Sequence, residues 1–186
     1  YGLRIGDVLV TSENADDILT DVWGQAHEGL MSFDVSKKIL TVNNVGELPV
    51  GIESWLDALT IKVGGVNTIY SESGAAISYT GSETGTLTFV KDEDADLSSL
   101  TLTSYGINNN VSSKAIEGFT LNNITISDPL QLTSPASMSD ILNETTVRIA
   151  NYNEAYNISI AGKAVTELNK DDVLGDGQVA FTVSGD

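Results

Sequence analysis

ALTIKVGGVNTI, residues 58–69, is the stretch on which the fold is read. It is one of five short β runs. The others are ILTVNNV (39–45), GTLTFV (85–90), SLTLTSYGI (99–107) and GFTLNNITI (118–126). Between them stand single apolar stops such as Ile52, Ile77 and Ile116, set among Gly, Ser, Asn and Asp. No helical period crosses this region. Many short strands with polar punctuation suit a β-solenoid or a β-sandwich. Leu-Thr or Phe-Thr pairs begin at 40, 59, 87, 100 and 119, with spacings of 19, 28, 13 and 19. The 13-residue step is too short for a full turn, so Leu87 and Leu100 are expected on different faces. AsnAsn recurs in one frame, in LTVNNV at 40–45 and FTLNNITI at 119–126. Stacked asparagines can bond along a solenoid axis at a bend, where Asn tolerates left-handed backbone. The expected fold is mainly β: a β-solenoid over 39–127, with a β-sandwich as the alternative.

The flanks carry a near-repeat. YGLRIGDVLVTSENADDILTD (1–21) matches YNISIAGKAVTELNKDDVLGD (156–176) without a gap at an offset of 155. Tyr1, Val10, Thr11, Asn14, Asp16, Asp17, Leu19 and Asp21 fall on identical residues. Self-similarity at a long period points to an array of units. Leu3, Ile5, Val8 and Val10 predict two short strands around Gly6-Asp7. Asn14 is the expected cap of a helix of one or two turns, with Asp16 and Asp17 complementing its dipole. In the second copy Asn169 takes the cap position and Gly175 the stop, and Phe33 and Phe181 mark a further strand. Seven extra residues in or near Trp23–Gly29 predict a surface loop in the first copy.

Four segments follow. Residues 1–38 form an N-terminal strand-turn-strand-helix cap and 39–127 the solenoid coils. Residues 128–155 close the open end, with a helical turn capped by Ser137 or Ser139 and a strand at TTVRI. Residues 156–186 are expected to begin a second, truncated unit.

The charge is −17, from 26 acidic and 9 basic residues, and Lys37-Lys38 is the only adjacent basic pair. A nucleic-acid groove needs clustered Lys and Arg, and an anionic membrane surface is disfavoured likewise. There is no cysteine, hence no disulfide framework and no thiolate chemistry. No stretch approaches the ~18 apolar residues of a membrane span.

The order Y-x-L-x-I, V-T-x-x-N-x-D-D-I-L, LTVNN (40–44), LTIKVGGVNTI (59–69) and GTLTFV (85–90) resembles a family of bacterial surface proteins. They are described as carbohydrate-binding-domain-containing, with a right-handed parallel β-helix. The similarity covers about residues 1–126 and again 156–181, and LTIKVGGVNTI is its most specific phrase. The resemblance implies an extracellular, non-catalytic β-helix, and some relatives are thought to bind acidic polysaccharides with calcium. No ligand motif transfers residue by residue.

Three clusters hold candidate chemistry. In KDEDADL (91–97), Asp92, Asp94 and Asp96 alternate and are the candidate calcium ligands, against an ordinary solvated turn. It is not an EF-hand, because Leu97 and Thr103 stand where that loop needs Gly and Glu. NKDDVLGDG (169–177) superficially resembles a calcium loop, but cap, helix and stop explain it without metal. Trp55, Tyr79 and Tyr105 are the candidate glycan-stacking aromatics, against ordinary packing. Catalysis has little support: His27 is the sole histidine and lies in the variable insertion. The expected function is a non-catalytic glycan-binding module of a repetitive surface protein. Its expected partners are a polysaccharide or host glycan and neighbouring repeat units. A structural spacer or adhesin repeat is the alternative, and a polysaccharide lyase or hydrolase the weaker one.

Overall fold

β1 (Leu3–Ile5) and β2 (Val8–Leu9) pair antiparallel around Gly6-Asp7. A turn over residues 12–16 delays the following helix, so α1 spans Ile18–Trp23. Its cap is Asp17, not Asn14: the Asp17 carboxylate accepts the Thr20 amide at 3.3 Å. Asn14 instead braces the turn, accepting from the Thr11 amide at 2.8 Å and donating to the Leu9 carbonyl at 3.0 Å. Ile18 and Leu19 are the buried face of α1. β3 (Leu30–Asp34) then lies antiparallel on β4 (Ile39–Asn43). This computed structural model describes residues 1–186 except 26, 106–113, 152–154, 162, 167–173, 175–179 and 181–186. The expectations placed on Asn169, Gly175 and Phe181 lie outside the described residues.

From β4 onward the chain is mainly β with mixed sheets, and parallel pairing dominates. The first ladder stacks β4, the front half of β7 (Ala58–Ser71), β9 (Thr86–Lys91) and β12 (Ile124–Ile126), all parallel. The second stacks β5 (Gly46–Leu48), the rear half of β7 and β10 (Ser98–Ser104). The third stacks β6 (Ile52–Ser54), β8 (Ile77–Tyr79) and β11 (Ile116–Glu117), with β1 antiparallel on β6. Leu87 and Leu100 lie in different ladders, as expected. Ile52, Ile77 and Ile116, read as isolated stops, are the inward residues of the third ladder and face each other in register.

Side chains alternate along each strand, so in-register inward columns build the core. Each ladder has a main column: Leu40–Ile61–Phe89–Ile126, Leu48–Ile69–Leu102 and Ile5–Ile52–Ile77–Ile116. All but Ile126, which is partly buried, are essentially inaccessible. Each fully buried side chain of this size contributes about 1.5–3 kcal/mol.

β7 serves two ladders because it bends at Gly64-Gly65. Gly65 has φ +64, and a Cβ there would stand 1.8 Å from the Asn44 side-chain oxygen. The alternation keeps its parity through this bend: Leu59, Ile61 and Val63 point inward before it, and Asn67, 1 % exposed, and Ile69 point inward after it. Its Oδ1 accepts the Val45 amide at 3.0 Å, and its Nδ2 donates to the Gly64 and Ser99 carbonyls at 2.8 and 3.1 Å. One amide therefore ties three successive layers. Asn151 repeats the device one layer on, accepting from the Ser98 amide at 2.8 Å and donating to the Asp96 carbonyl at 3.1 Å.

The two AsnAsn pairs do not stack. Asn43 and Asn44 leave β4, whereas Asn122 and Asn123 lie in a 3-10 turn that leads into β12. In the register of the first ladder, Asn43 follows Leu40 by three residues while Asn123 precedes Ile126 by three. After β12, the chain runs through β13 (Leu130–Ser134) and a 3-10 turn capped by Ser137. β14 (Thr146–Asn151) then pairs antiparallel with both β10 and β13, ending the run of parallel strands in the second ladder. β15 (Ala155–Ile160) and β16 (Lys163–Thr166) form a separate two-stranded antiparallel sheet.

Asn67→Ala takes the side-chain acceptor from the Val45 amide and a donor from the Gly64 and Ser99 carbonyls inside the core, so it costs about 2–4 kcal/mol. Urea unfolding measures this, and a loss under about 0.5 kcal/mol would strip Asn67 of the role. The Asp34 carboxylate closes the β3–β4 turn. It accepts from the Ser36 hydroxyl at 2.6 Å and the Lys37 amide at 3.1 Å. The Ser36 hydroxyl, then the Lys37 amide, lower its pKa to about 2. A depressed carboxylate adds stability above its unfolded value of about 3.9 and loses it as pH falls through the folded value. Asp34→Asn therefore lowers Tm at pH 6, and the difference from the parent chain closes as pH approaches 2. A difference that persists unchanged at that pH contradicts the assignment.

Candidate functional site

The acidic segment 91–97 carries the chain from β9 in the first ladder to β10 in the second. Asp92 is 5 % exposed, its amide donates to the Val63 carbonyl at 2.7 Å, and its carboxylate lies 3.3 Å from the Lys62 ammonium. Asn43 also donates to it at 3.4 Å. Glu93, Asp94 and Asp96 are exposed. Asp92 is thus turned inward as an ion-pair partner, and the structure does not gather it with Asp94 and Asp96. Among the described residues, no group of three or more His, Cys, Asp or Glu converges as a metal set.

The three candidate aromatics fall in three places. Trp55 follows β6, is 42 % exposed, and donates its amide to the Gly2 carbonyl at 3.0 Å. Tyr79 ends β8 and is half-buried, its ring tilted on Phe119 at 5.3 Å. Gly81 and Gly85 give that ring room: a Cβ on Gly81 would meet the Tyr79 hydroxyl at 2.1 Å. Tyr79 is therefore a corner-packing residue. Tyr105 follows β10, is 61 % exposed, and stands edge-on to Tyr70 with centroids 5.3 Å apart at 77°.

Tyr70 places this pair on the outer face of the second ladder. Since Asn67 and Ile69 point inward, Val66, Thr68 and Tyr70 point outward. Thr68 faces Thr101, which faces Arg148, and Glu47 completes the row on β5. The adjacent row runs Tyr70, Thr103, Thr146, with the two threonine hydroxyls 3.3 Å apart. Neighbouring strands are spaced ~4.8 Å and same-side residues ~6.8 Å along them. The result is a flat hydroxyl-bearing surface bounded by an aromatic edge, with Arg148 and Glu47 at its flanks. Such a face can donate and accept hydrogen bonds over a length of several sugar rings, while Tyr105 offers an apolar platform.

Tyr70 and the threonine rows were absent from the candidate set read from sequence. The signal was present: the alternation of β7 keeps its parity through Gly64-Gly65, which puts Thr68 and Tyr70 together on the outer side.

No family model, curated protein or solved structure matches the chain.

A concavity of about 520 Å³ opens over the third ladder. Arg4, Asp7, Glu53, Glu72 and Ser78 line it, and Arg4 is bonded to Glu53. Thr80 donates to the other Glu53 oxygen at 3.0 Å. Its single guanidinium is thus neutralised within an acidic rim, which disfavours an anionic ligand. His27 pairs with Asp17 at 3.0 Å and contacts the Glu28 carbonyl at 3.3 Å, bracing the loop after α1. The Asp17 carboxyl is held below its usual value, first by the Thr20 hydroxyl and also by His27. No helix of the described residues is long and apolar enough to cross a membrane.

Proposed function

We propose that this chain is a non-catalytic, extracellular glycan-binding module of a repetitive bacterial surface protein, built as a short right-handed β-solenoid. Three in-register parallel ladders connected strand to strand support the solenoid over a sandwich, whose sheets are antiparallel. Right-handedness follows the general rule for parallel crossovers. The resemblance of LTIKVGGVNTI and GTLTFV to carbohydrate-binding-domain-containing surface proteins supports the class. The observation that carries the ligand reading is the exposed Tyr105 edge-on to Tyr70 beside the Thr68, Thr101, Thr103 and Thr146 rows. With a charge of −17, a neutral glycan, or an acidic one bridged by cations, is the compatible partner. The non-catalytic reading is supported by the engagement of His27 with Asp17.

A panel of plant, bacterial and host polysaccharides on an array tests this directly; no binding to any of them removes the reading. Where a ligand is found, Tyr105→Ala lowers affinity about tenfold, ~1.4 kcal/mol, while Tyr79→Ala acts on stability through its packing on Phe119. Loss of binding in Trp55→Ala, with Tyr105→Ala unaffected, would move the site to the third ladder.

Calcium belongs to the same proposal as an assisting ion, with the exposed Asp94 and Asp96 as its carboxylates and Asp92 held by Lys62. Melting in millimolar calcium then exceeds melting in EDTA. Coincident curves, with no metal by elemental analysis, remove calcium from the reading.

The structural spacer or adhesin repeat remains the second reading, favoured by the antiparallel hairpin at the start of the second sequence copy. It predicts no glycan affinity and binding only to protein.

A further inference from the structure

The outer side of the first ladder carries a cluster that neither the core nor the hydroxyl-bearing face uses. Leu59, Ile61 and Val63 point inward, so Lys62 and Gly64 point outward. Asn43 on β4 is in register with Gly64, and Asp92 directly follows Lys91, which is in register with Val63. Asn43, Gly64 and Asp92 therefore form one row across three layers. Lys62 occupies the preceding outward position on the central strand. The middle of the row has no room for a side chain. A Cβ on Gly64 would lie 2.9 Å from the Asn43 carboxamide carbon and 3.1 Å from the Asp92 Cβ. Glycine thus lets Asn43 and Asp92 close over β7.

Three side chains converge on one carboxylate. The Lys62 Nζ lies 3.3 Å from Asp92 Oδ1, and the Asn43 Nδ2 donates to Asp92 Oδ2 at 3.4 Å. Asp92 is nearly buried, while Lys62 and Asn43 are half-buried. Neighbouring asparagines brace backbone: Asn44 accepts the Val66 amide, and Asn67 and Asn151 accept the Val45 and Ser98 amides. Among the described residues, the Asn43 carboxamide bonds to no backbone group and turns instead to the carboxylate that also holds an amine. The other amine nearby is engaged elsewhere. Lys91 donates to the Asp92 carbonyl at 3.2 Å and to the Ala95 carbonyl.

We infer that Lys62 and Asn43 join in an intramolecular isopeptide bond, with Asp92 as the acid–base group. An amine, a carboxamide and a carboxylate touching both are the parts that acyl transfer needs. Asp92 takes a proton from the Lys62 ammonium, and the freed Nζ lone pair attacks Asn43 Cγ. Asp92 then returns the proton to Asn43 Nδ2. The Cγ–Nδ2 bond breaks, ammonia leaves, and the extra proton on Nζ passes through Asp92 to solvent. No oxidant or co-reactant is consumed. Holding the groups on adjacent strands makes the step unimolecular. It runs once per chain, so the module remains non-catalytic toward any ligand. The product ties β4 to β7 beside the bend. This inference goes beyond glycan binding and does not rest on it.

Intact-mass spectrometry of the whole folded chain then reads a mass below the sequence mass by one ammonia. Digestion at glutamate cuts at Glu47 and Glu53, so Asn43 and Lys62 stay in one branched product only when they are joined. Lys62→Arg keeps a cation opposite Asp92 but has no nucleophilic amine, and it carries the full mass. Asp92→Ala carries the full mass as well, whereas Lys91→Arg retains the loss. The parent mass decides the matter whether or not a variant folds. A parent chain at full sequence mass, a loss of water in place of ammonia, or a loss of ammonia that persists in Lys62→Arg would each overturn the inference.

Discussion

The bend in β7, held by the buried side chain of Asn67, is the constraint on which the other strands depend. One strand supplies the middle of two ladders, so its path fixes the register of β4, β5, β9 and β10 together. A parallel ladder with an apolar inner column is intolerant of a one-residue slip, because every inward side chain would turn outward. The bend adds a polar condition to that apolar one. Asn67 is satisfied only when Val45 lies on one side and Ser99 on the other. Gly65 is the residue that lets Asn44 close on the bend from the neighbouring layer, since any Cβ there collides with the Asn44 amide. Hydrophobic burial supplies most of the favourable energy, and the asparagine selects among the registers that burial would accept.

The outer surface inherits this order. Fixing Asn67 and Ile69 inward forces Thr68 and Tyr70 outward, and in-register pairing then aligns Thr101 with Thr68 and Thr103 with Tyr70. The flat hydroxyl-bearing face is thus a by-product of core register, which is why it needs no loop to hold it. The acidic segment behaves differently. It joins two ladders, and the turn requires Asp92 to face Lys62 and Asn43, leaving the neighbouring acids in solvent. Alternation in an extended reading of KDEDADL puts three carboxylates on one side; a connector between faces does not stay extended.

Much of the strand content was legible because β4, β9, β10 and most of β7 are runs of alternating or β-branched residues long enough to show a period. The third ladder was not. Its strands are two or three residues long, and Ile52, Ile77 and Ile116 become a column only through pairing across 25 and 39 residues. ALTIKVGGVNTI reads as one β run across Gly64-Gly65, as β7 is, but nothing near the glycines says that the run passes from one ladder into another. Asn67 looks like a loop residue until its partners, 22 and 32 positions away, are known. The same limit applies to the aromatics. Tyr105 is exposed, as its Gly and Ser neighbours indicated. Tyr79 has similar neighbours yet packs on Phe119, 40 residues on, a contact with no local signature.

Edges are the remaining physical problem of such a fold, and the molecule treats its ends unequally. At the beginning, β3 covers β4 and α1 sinks Ile18 and Leu19 into the core. At the other end, β14 stops the second ladder by reversing direction against β10. Beside it, β12 and β13 flank an open apolar groove of about 410 Å³ that reaches Ile126, Leu132 and Met138. Bare apolar edges invite indiscriminate pairing. A charge of −17 opposes close approach of like chains at long range. Any contact between like chains must then return enough main-chain bonds or buried apolar area to exceed that repulsion. Acidity and open edges are in this sense complementary: the charge opposes the casual association of like chains that an open apolar edge would otherwise invite.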